Sequence, residues 1–262
     1  MPIKTFWYLT QPTATTPGAG GLYPVDGQRQ IELAKTIDDG GFEGALVATW
    51  PNDPFISATW AAAHTSRMKF LVAIYANMTP ARLLAEKALT FDAFSGGRLM
   101  INSVNGRENI LTKYDMNVEH DRRYELGEKY WAEFRRIYAE GTASNFPNTP
   151  LRIDAPADHS VPLWGTGDSP AGLQNAGKVL DAYLIMLRET SFVAEKFTAA
   201  RESAAAEGRE YTDFGACPAS SCVRTGRRHS SGSGRCSRRP ASSRSRTCST
   251  TRFGAARTAS RI

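Results

Sequence analysis

Short runs of large apolar residues alternate with longer stretches whose apolar positions recur every three or four residues, and the pattern holds to about position 216 of the 262-residue chain. Ile3–Leu9 (IKTFWYL) has the density of a strand. A Gly/Pro/Thr-rich loop follows, and Gln28–Asp39 predicts a helix with Ile31, Leu33, Ala34 and Ile37 on one side and Gly40-Gly41 as its stop. The pattern repeats with a strand at Gly44–Thr49, a short helix at Ser57–His64 and a strand at Lys69–Ala76. Thr79-Pro80, an N-cap and a first-turn proline, opens a helix through Phe94 with Leu84, Ala88 and Phe91 at core spacing. A fourth strand begins at Leu99, and Asp121–Glu140 is a long helix with Tyr130, Trp131, Phe134, Ile137 and Tyr138 on one face. Beyond a polar excursion over 141–161 come strands at Pro162–Gly167 and Asp181–Leu187, with helices at Ser169–Gly177 and Phe192–Glu207. Apolar strands that are each followed by a helix indicate a parallel sheet covered on its outer face.

Both an open doubly wound sheet and a (β/α)8 barrel fit this alternation. GAGG at Gly18–Gly21 and GTG at Gly165–Gly167 fail to complete G-x-G-x-x-G, and the first falls in a long loop, which weakens the dinucleotide-binding reading. The fourth strand carries an anomaly. After Leu99, Met100 and Ile101 it takes in Asn102, Ser103 and Asn105, groups that each cost about 1–3 kcal/mol if buried unpaired. An amide inside an apolar strand needs partners, from the protein or from a ligand.

Charge changes the picture only at the far end. Of 32 basic residues eleven are Arg within 217–262, where there is no acid, which leaves 21 basic against 26 acidic side chains over 1–216. The body is therefore mildly acidic and has no basic stripe for nucleic acid. All four cysteines, Cys217, Cys222, Cys236 and Cys248, lie in the same end, at spacings that supply no close pair for zinc. No apolar run approaches the roughly 20 residues of a membrane span, and MPIKTFWYLTQP lacks a signal-peptide pattern, so a cytoplasmic protein without disulfides is expected. His64, His120 and His159 have no spacing that suggests catalysis.

FDAFSGGRLMINSVNG followed by VEHDRRYELGEKYW resembles the bacterial luciferase-like family of flavin-dependent enzymes, and within it the alkanesulfonate monooxygenase branch. FWYLTQP, GALVAT, KFLVAIYA and PLWGTGDSP are similar to the same branch in the same order, so the resemblance covers roughly 3–216. It implies an α/β fold, the (β/α)8 TIM barrel, with the ligand at the C-terminal ends of the strands. It further implies that Asn102, Val104 and Asn105 lie along reduced FMN, that Thr49, Ala73 and Ile74 line the ring, and that Tyr124 hydrogen-bonds the phosphate. Gly167, Asp168 and Ser169 would present the N-terminus of the following helix to that anion, with the Asp168 carboxylate facing away. Read without the family, Tyr124 is a core residue and Ser169 only an N-cap.

The implied chemistry is that of a two-component monooxygenase. FMN is reduced by a separate NAD(P)H-dependent reductase, O2 adds at flavin C4a, and the peroxyflavin attacks a small organic substrate, for an alkanesulfonate releasing sulfite and an aldehyde. A homo-oligomer is implied as well. The superfamily also includes deazaflavin (F420)-dependent oxidoreductases, the alternative within the fold. No residue after Ala216 matches the resemblance. Eleven Arg and eleven Ser in 217–262 are what GC-rich codons yield in the wrong frame, so the expectation is six strands, with strands seven and eight missing, a disordered out-of-frame tail, and a chain inactive as written. The rival outside enzymology is a pseudoenzyme whose Arg/Ser arm binds nucleic acid through phosphate charge, without the aromatic interleaving that gives base stacking.

Overall fold

Several helices start where the chain leaves an apolar run and meets Asp, Ser or Pro. In the computed structural model, which describes residues 3–9, 26–49, 53–106, 111–143, 152–155 and 159–217, helix α1 (Gly27–Asp39) opens on Asp26, whose carboxylate accepts from the Arg29 amide, and α2 (Pro54–Ala62) on Asp53, which accepts from Ile56. Pro54 is a first-turn proline, so α2 begins three residues before the expected Ser57. Helix α3 (Ala81–Ser95) takes Pro80 as its N-cap and ends on Gly96 and Gly97, at φ +73° and +77°, a left-handed turn that glycine enters at no steric cost. Helix α4 spans His120–Glu140, α5 Pro170–Val179 and α6 Thr190–Ala206.

Between these helices run β1 (Phe6–Leu9), β2 (Gly44–Val47), β3 (Lys69–Tyr75) and β4 (Leu99–Val104). Within the expected excursion over 141–161, β5 (Thr142–Ala143) and β6 (Arg152–Ile153) pair antiparallel as a small separate sheet. They are followed by β7 (Leu163–Gly165), β8 (Ala182–Met186) and β9 (Asp213–Cys217). The main sheet is parallel throughout, in the order β1-β2-β3-β4-β7-β8-β9.

This sheet corrects the expected six strands to seven. The seventh, β9, lies in register along β8 from Ala182↔Asp213 to Met186↔Cys217, so it includes Cys217, the first residue assigned to the tail. Its anchor is Phe214, whose ring meets Phe197 at a tilt and Tyr211 edge to face, at centroid distances of 4.9 and 5.4 Å. One large aromatic in five residues is a weak sequence signal, and the Arg- and Ser-rich run that follows obscured it. The expectations for 218–262, Cys222, Cys236 and Cys248 among them, lie outside the described residues. Cys217 forms no disulfide, and no cluster of three metal-ligating side chains occurs among the described residues. None of the described helices is long and apolar enough to cross a membrane.

Alternation along the strands sorts side chains onto two faces. Outward, Leu9, Val47, Phe70, Val72, Leu99, Ile101, Leu163 and Ile185 form the main core with the helices, including Phe55 and Ala58 of α2 and Trp131 and Phe134 of α4. Inward, Leu71, Met100, Trp164 and Ala182 form a second cluster, with Phe6, Leu46 and Leu184 packed against it. The sheet curls around this cluster. Phe6 of β1 reaches Trp164 of β7 at 5.8 Å between ring centroids, and Lys4 stands 3.4 Å from Asp213 of β9.

The SGGR turn proves structural. Arg98 bonds the carbonyls of Ser95, Met68 and Ala62 and the Thr65 hydroxyl, while the fully buried Asp92 accepts from the Leu99 amide at 3.0 Å and the Tyr138 hydroxyl at 2.7 Å. These contacts fix the N-terminal ends of β3 and β4, and so determine where their C-terminal ends emerge.

Candidate active site

Parallel strands in a curled sheet place their C-terminal ends on one rim, and that is where most of the candidate residues gather. Ala73 and Asn102 are register partners on β3 and β4, and Asn102 pairs in turn with Trp164 on β7. All three fall on the inner face. Asn102 is half-buried and its amide makes no hydrogen bond among the described residues. Val104, two positions on, is half-buried on the same face, and Thr49 lies half-buried just past the end of β2.

Two candidates point elsewhere. Ile74 alternates to the outer face and packs against the main core, and Asn105 turns toward α4, its Oδ1 3.6 Å from where a Cβ on Gly127 would stand. Ser103, one of the three polar residues that made this strand anomalous, is buried on the outer face too.

The second half of the site is the start of α5. Ser169 is its N-cap, the hydroxyl accepting from the Gly172 amide at 3.1 Å, and Pro170 contributes no N–H. The Leu173 amide bonds the Ser169 carbonyl at 2.8 Å, so the Ala171 amide is the first-turn donor that no group among the described residues takes up. Tyr124, from the first turns of α4, brings its hydroxyl to 3.4 Å from Ser169 Oγ. Tyr124, Gly167, Ser169 and Gly172 thus converge, and they can do so only because two of them are glycine. A Cβ on Gly167 would stand 2.4 Å from the Gly172 carbonyl oxygen, and one on Gly172 3.1 Å from the Tyr124 hydroxyl. Asp168 is exposed.

Three residues that position this cradle escaped the sequence reading. Asn175, buried on α5, donates from Nδ2 to the Tyr124 carbonyl at 2.9 Å. Tyr183, fully buried on β8, donates to the Gly167 carbonyl at 2.9 Å, and burial pushes its phenol well above the usual range. Arg123 donates to the Gly106 carbonyl at 2.7 Å, tying α4 to the end of β4. Arg123 neighbours Tyr124 in HDRRY, a local signal that Asn175 and Tyr183 lack.

An apolar inner-face floor, the Ala73↔Asn102 pair on β3 and β4, and the N-terminus of the helix after β7 lie toward the C-terminal ends of the strands, the end at which barrels of parallel strands bind ligands. The luciferase-like monooxygenase family matches residues 3–228, past the Ala216 limit inferred from sequence, and the chain belongs to that family. Among solved structures, EDTA monooxygenase from Chelativorans sp. BNC1 is similar at 16% identity and a TM-score of 0.69, over 82% of this chain and 61% of that one. A riboflavin lyase bound to modified FMN and riboflavin matches at 17% and 0.60, over 72% of this chain and 55% of its own. Coenzyme F420-dependent tetrahydromethanopterin reductase from Methanopyrus kandleri matches at 17% and 0.59, over 82% and 65%. At such identities the likeness is one of fold. The chain spans between about half and two thirds of the length of these relatives.

Proposed function

We propose that this chain binds reduced FMN at the C-terminal rim of its sheet, as the oxygen-using component of a two-component monooxygenase supplied by a separate NAD(P)H-dependent reductase. The convergence of Tyr124, Ser169 and the α5 N-terminus carries the reading. Helices α4 and α5 bring together two hydroxyls and a spare amide at the positive end of a helix dipole, a donor set that fits a phosphate and that core packing alone does not call for. Ala73, Asn102 and Val104 would flank the ring system.

When bound and reduced, the flavin supplies the activation of O2 that no side chain can provide. The chain's part is binding and exclusion. The amide of Asn102 offers both a donor and an acceptor to a ring edge. The cluster of Leu71, Met100, Trp164 and Leu184 closes the inner face beneath it against water. An alkanesulfonate-like substrate and a homo-oligomeric assembly belong to the same proposal. The second reading is F420, favoured by the likeness to F420-dependent enzymes, since that cofactor also carries a phosphate.

Anaerobic titration with reduced FMN, reduced riboflavin and reduced F420 tests both. FMN binding at least tenfold tighter than riboflavin supports the phosphate cradle. Preference for F420 transfers the site to the second reading, and equal weak binding of all three sinks both.

A further inference from the structure

The inner face of the sheet holds a second polar group without a partner, on the strand beside Asn102. Tyr75 is the last residue of β3 and pairs in register with Val104, one inward-facing step beyond the Ala73↔Asn102 pair toward the rim. It is only 6% exposed, and its hydroxyl, which keeps some access to solvent, makes no hydrogen bond among the described residues. The ring is held firmly. Its Cδ1 lies 3.1 Å from where a Cβ on Gly106 would stand, and its centroid 6.5 Å from that of Tyr114. Gly106, at φ +74°, leaves the room the ring occupies.

Phenylalanine would fill this space equally well, so packing explains the ring but not the oxygen. Other buried tyrosines divide cleanly. Tyr138 gives its hydroxyl to Asp92 and Tyr183 to Gly167, while Tyr130 and the half-buried Tyr211, whose hydroxyls are shut off from solvent without a partner among the described residues, belong to the helix-side layer, away from the inner face. Only at Tyr75 does an unused hydroxyl share a face with Asn102 and adjoin the proposed ring site.

We propose that Tyr75 is a ligand-contact residue, donating a hydrogen bond from its hydroxyl to an acceptor on the ring system of the bound flavin, alongside the Asn102 amide. The inference rests on the flavin reading above and adds to it a contact with the ring instead of the phosphate. Burial, with a smaller contribution from Tyr114, raises the phenol above its ordinary range, so it remains a donor at any physiological pH.

The Tyr75→Phe chain, compared with wild type by anaerobic fluorescence titration and by thermal melting without ligand, provides the test. The melting temperature should stay level or rise, while affinity falls about fivefold, the worth of one neutral hydrogen bond. The loss should be the same for reduced FMN and reduced riboflavin, because the contact is to the ring they share. Unchanged affinity in the Phe variant overturns the assignment, as does a loss confined to FMN. A wild-type chain that binds no flavin or deazaflavin overturns the flavin reading and this contact with it. Wild-type binding with an indifferent Phe variant overturns this contact alone.

Discussion

Asp92 and Asn102 lie on opposite sides of the fourth strand's layer and show two fates of a polar group inside an apolar frame. Asp92 has its needs met by the Leu99 amide and the Tyr138 hydroxyl, with His159 Nε2 a further 3.3 Å away, but it is removed from water, and that desolvation holds its carboxyl above the ordinary value near 3.8. The sign follows from linkage. With the folded pKa raised, the native state holds more protons than the unfolded one between 3.8 and the folded value, so stability falls as pH rises through that window and stays lower above it. Asp92→Asn, which keeps an acceptor for Leu99, should flatten this part of the profile in urea denaturation. A wild-type to variant difference that is constant with pH would contradict it. Asp92→Ala should instead cost about 3 kcal/mol, since two buried donors lose their acceptor. Asn102 has no such partners, and Asn102→Leu should weaken reduced-FMN binding while leaving the melting temperature unchanged or higher. Unaltered affinity would make the amide a bystander. At Tyr124 the discriminating ligand is riboflavin. Tyr124→Phe should lower affinity for reduced FMN about fivefold and leave reduced riboflavin untouched, because only FMN carries the phosphate acceptor. Equal losses for both would return Tyr124 to core packing.

At the scale of elements, what the sequence made legible was whatever a local period or a capping residue encodes. Strands β1 to β4, β7 and β8 announce themselves as apolar runs, α1 by its apolar side and Gly40-Gly41, and α5 by Ser169 and Pro170. The rest depended on long-range partners. Strand β9 owes its place to hydrogen bonds with β8 and to Phe214 meeting Tyr183, Phe197 and Tyr211, none of which a window of five residues contains. The same limit governed the site. Alternation puts Asn102 inward and Ile74 outward, but past the strand end it fails, and Asn105 turns to α4 beside Gly127. At the strand-to-helix turn the resemblance implies an anion site at Gly167, but the closeness of Gly172 leaves no mark in the sequence. It supplies a sharp test. Gly167→Ala would press a methyl to 2.4 Å from the Gly172 carbonyl, so the first turn of α5 must shift. The variant should lose the preference for reduced FMN over riboflavin while keeping its far-ultraviolet circular dichroism. Retained preference would show that the cradle tolerates displacement.

Over the whole molecule, the curl of the sheet creates an inside, and two contacts between distant strands mark it: Phe6 on Trp164, and Lys4 near Asp213. They are unequal. The ion pair joins side chains that are 47% and 29% exposed, and exposed pairs contribute about 0–1 kcal/mol. The aromatic contact holds a partly buried ring against the inner cluster, and truncating it costs about 2 kcal/mol, below the range for a fully buried Phe. The curl therefore rests on apolar burial. The proposed ligand wall occupies β2, β3, β4 and β7, contiguous in the sheet, with β1 and β9 at its edges. Stability and binding should consequently separate. Phe6→Ala should lower the free energy of unfolding by about 2 kcal/mol and Lys4→Ala by less than about 1 kcal/mol, each measured by urea denaturation, while affinity for reduced FMN, titrated well below the midpoint, changes less than twofold in either. If Lys4→Ala proves as costly as Phe6→Ala, electrostatics holds the curl. If affinity falls in step with stability in Phe6→Ala, the first strand shapes the site directly, and the ligand wall extends to the edge of the sheet.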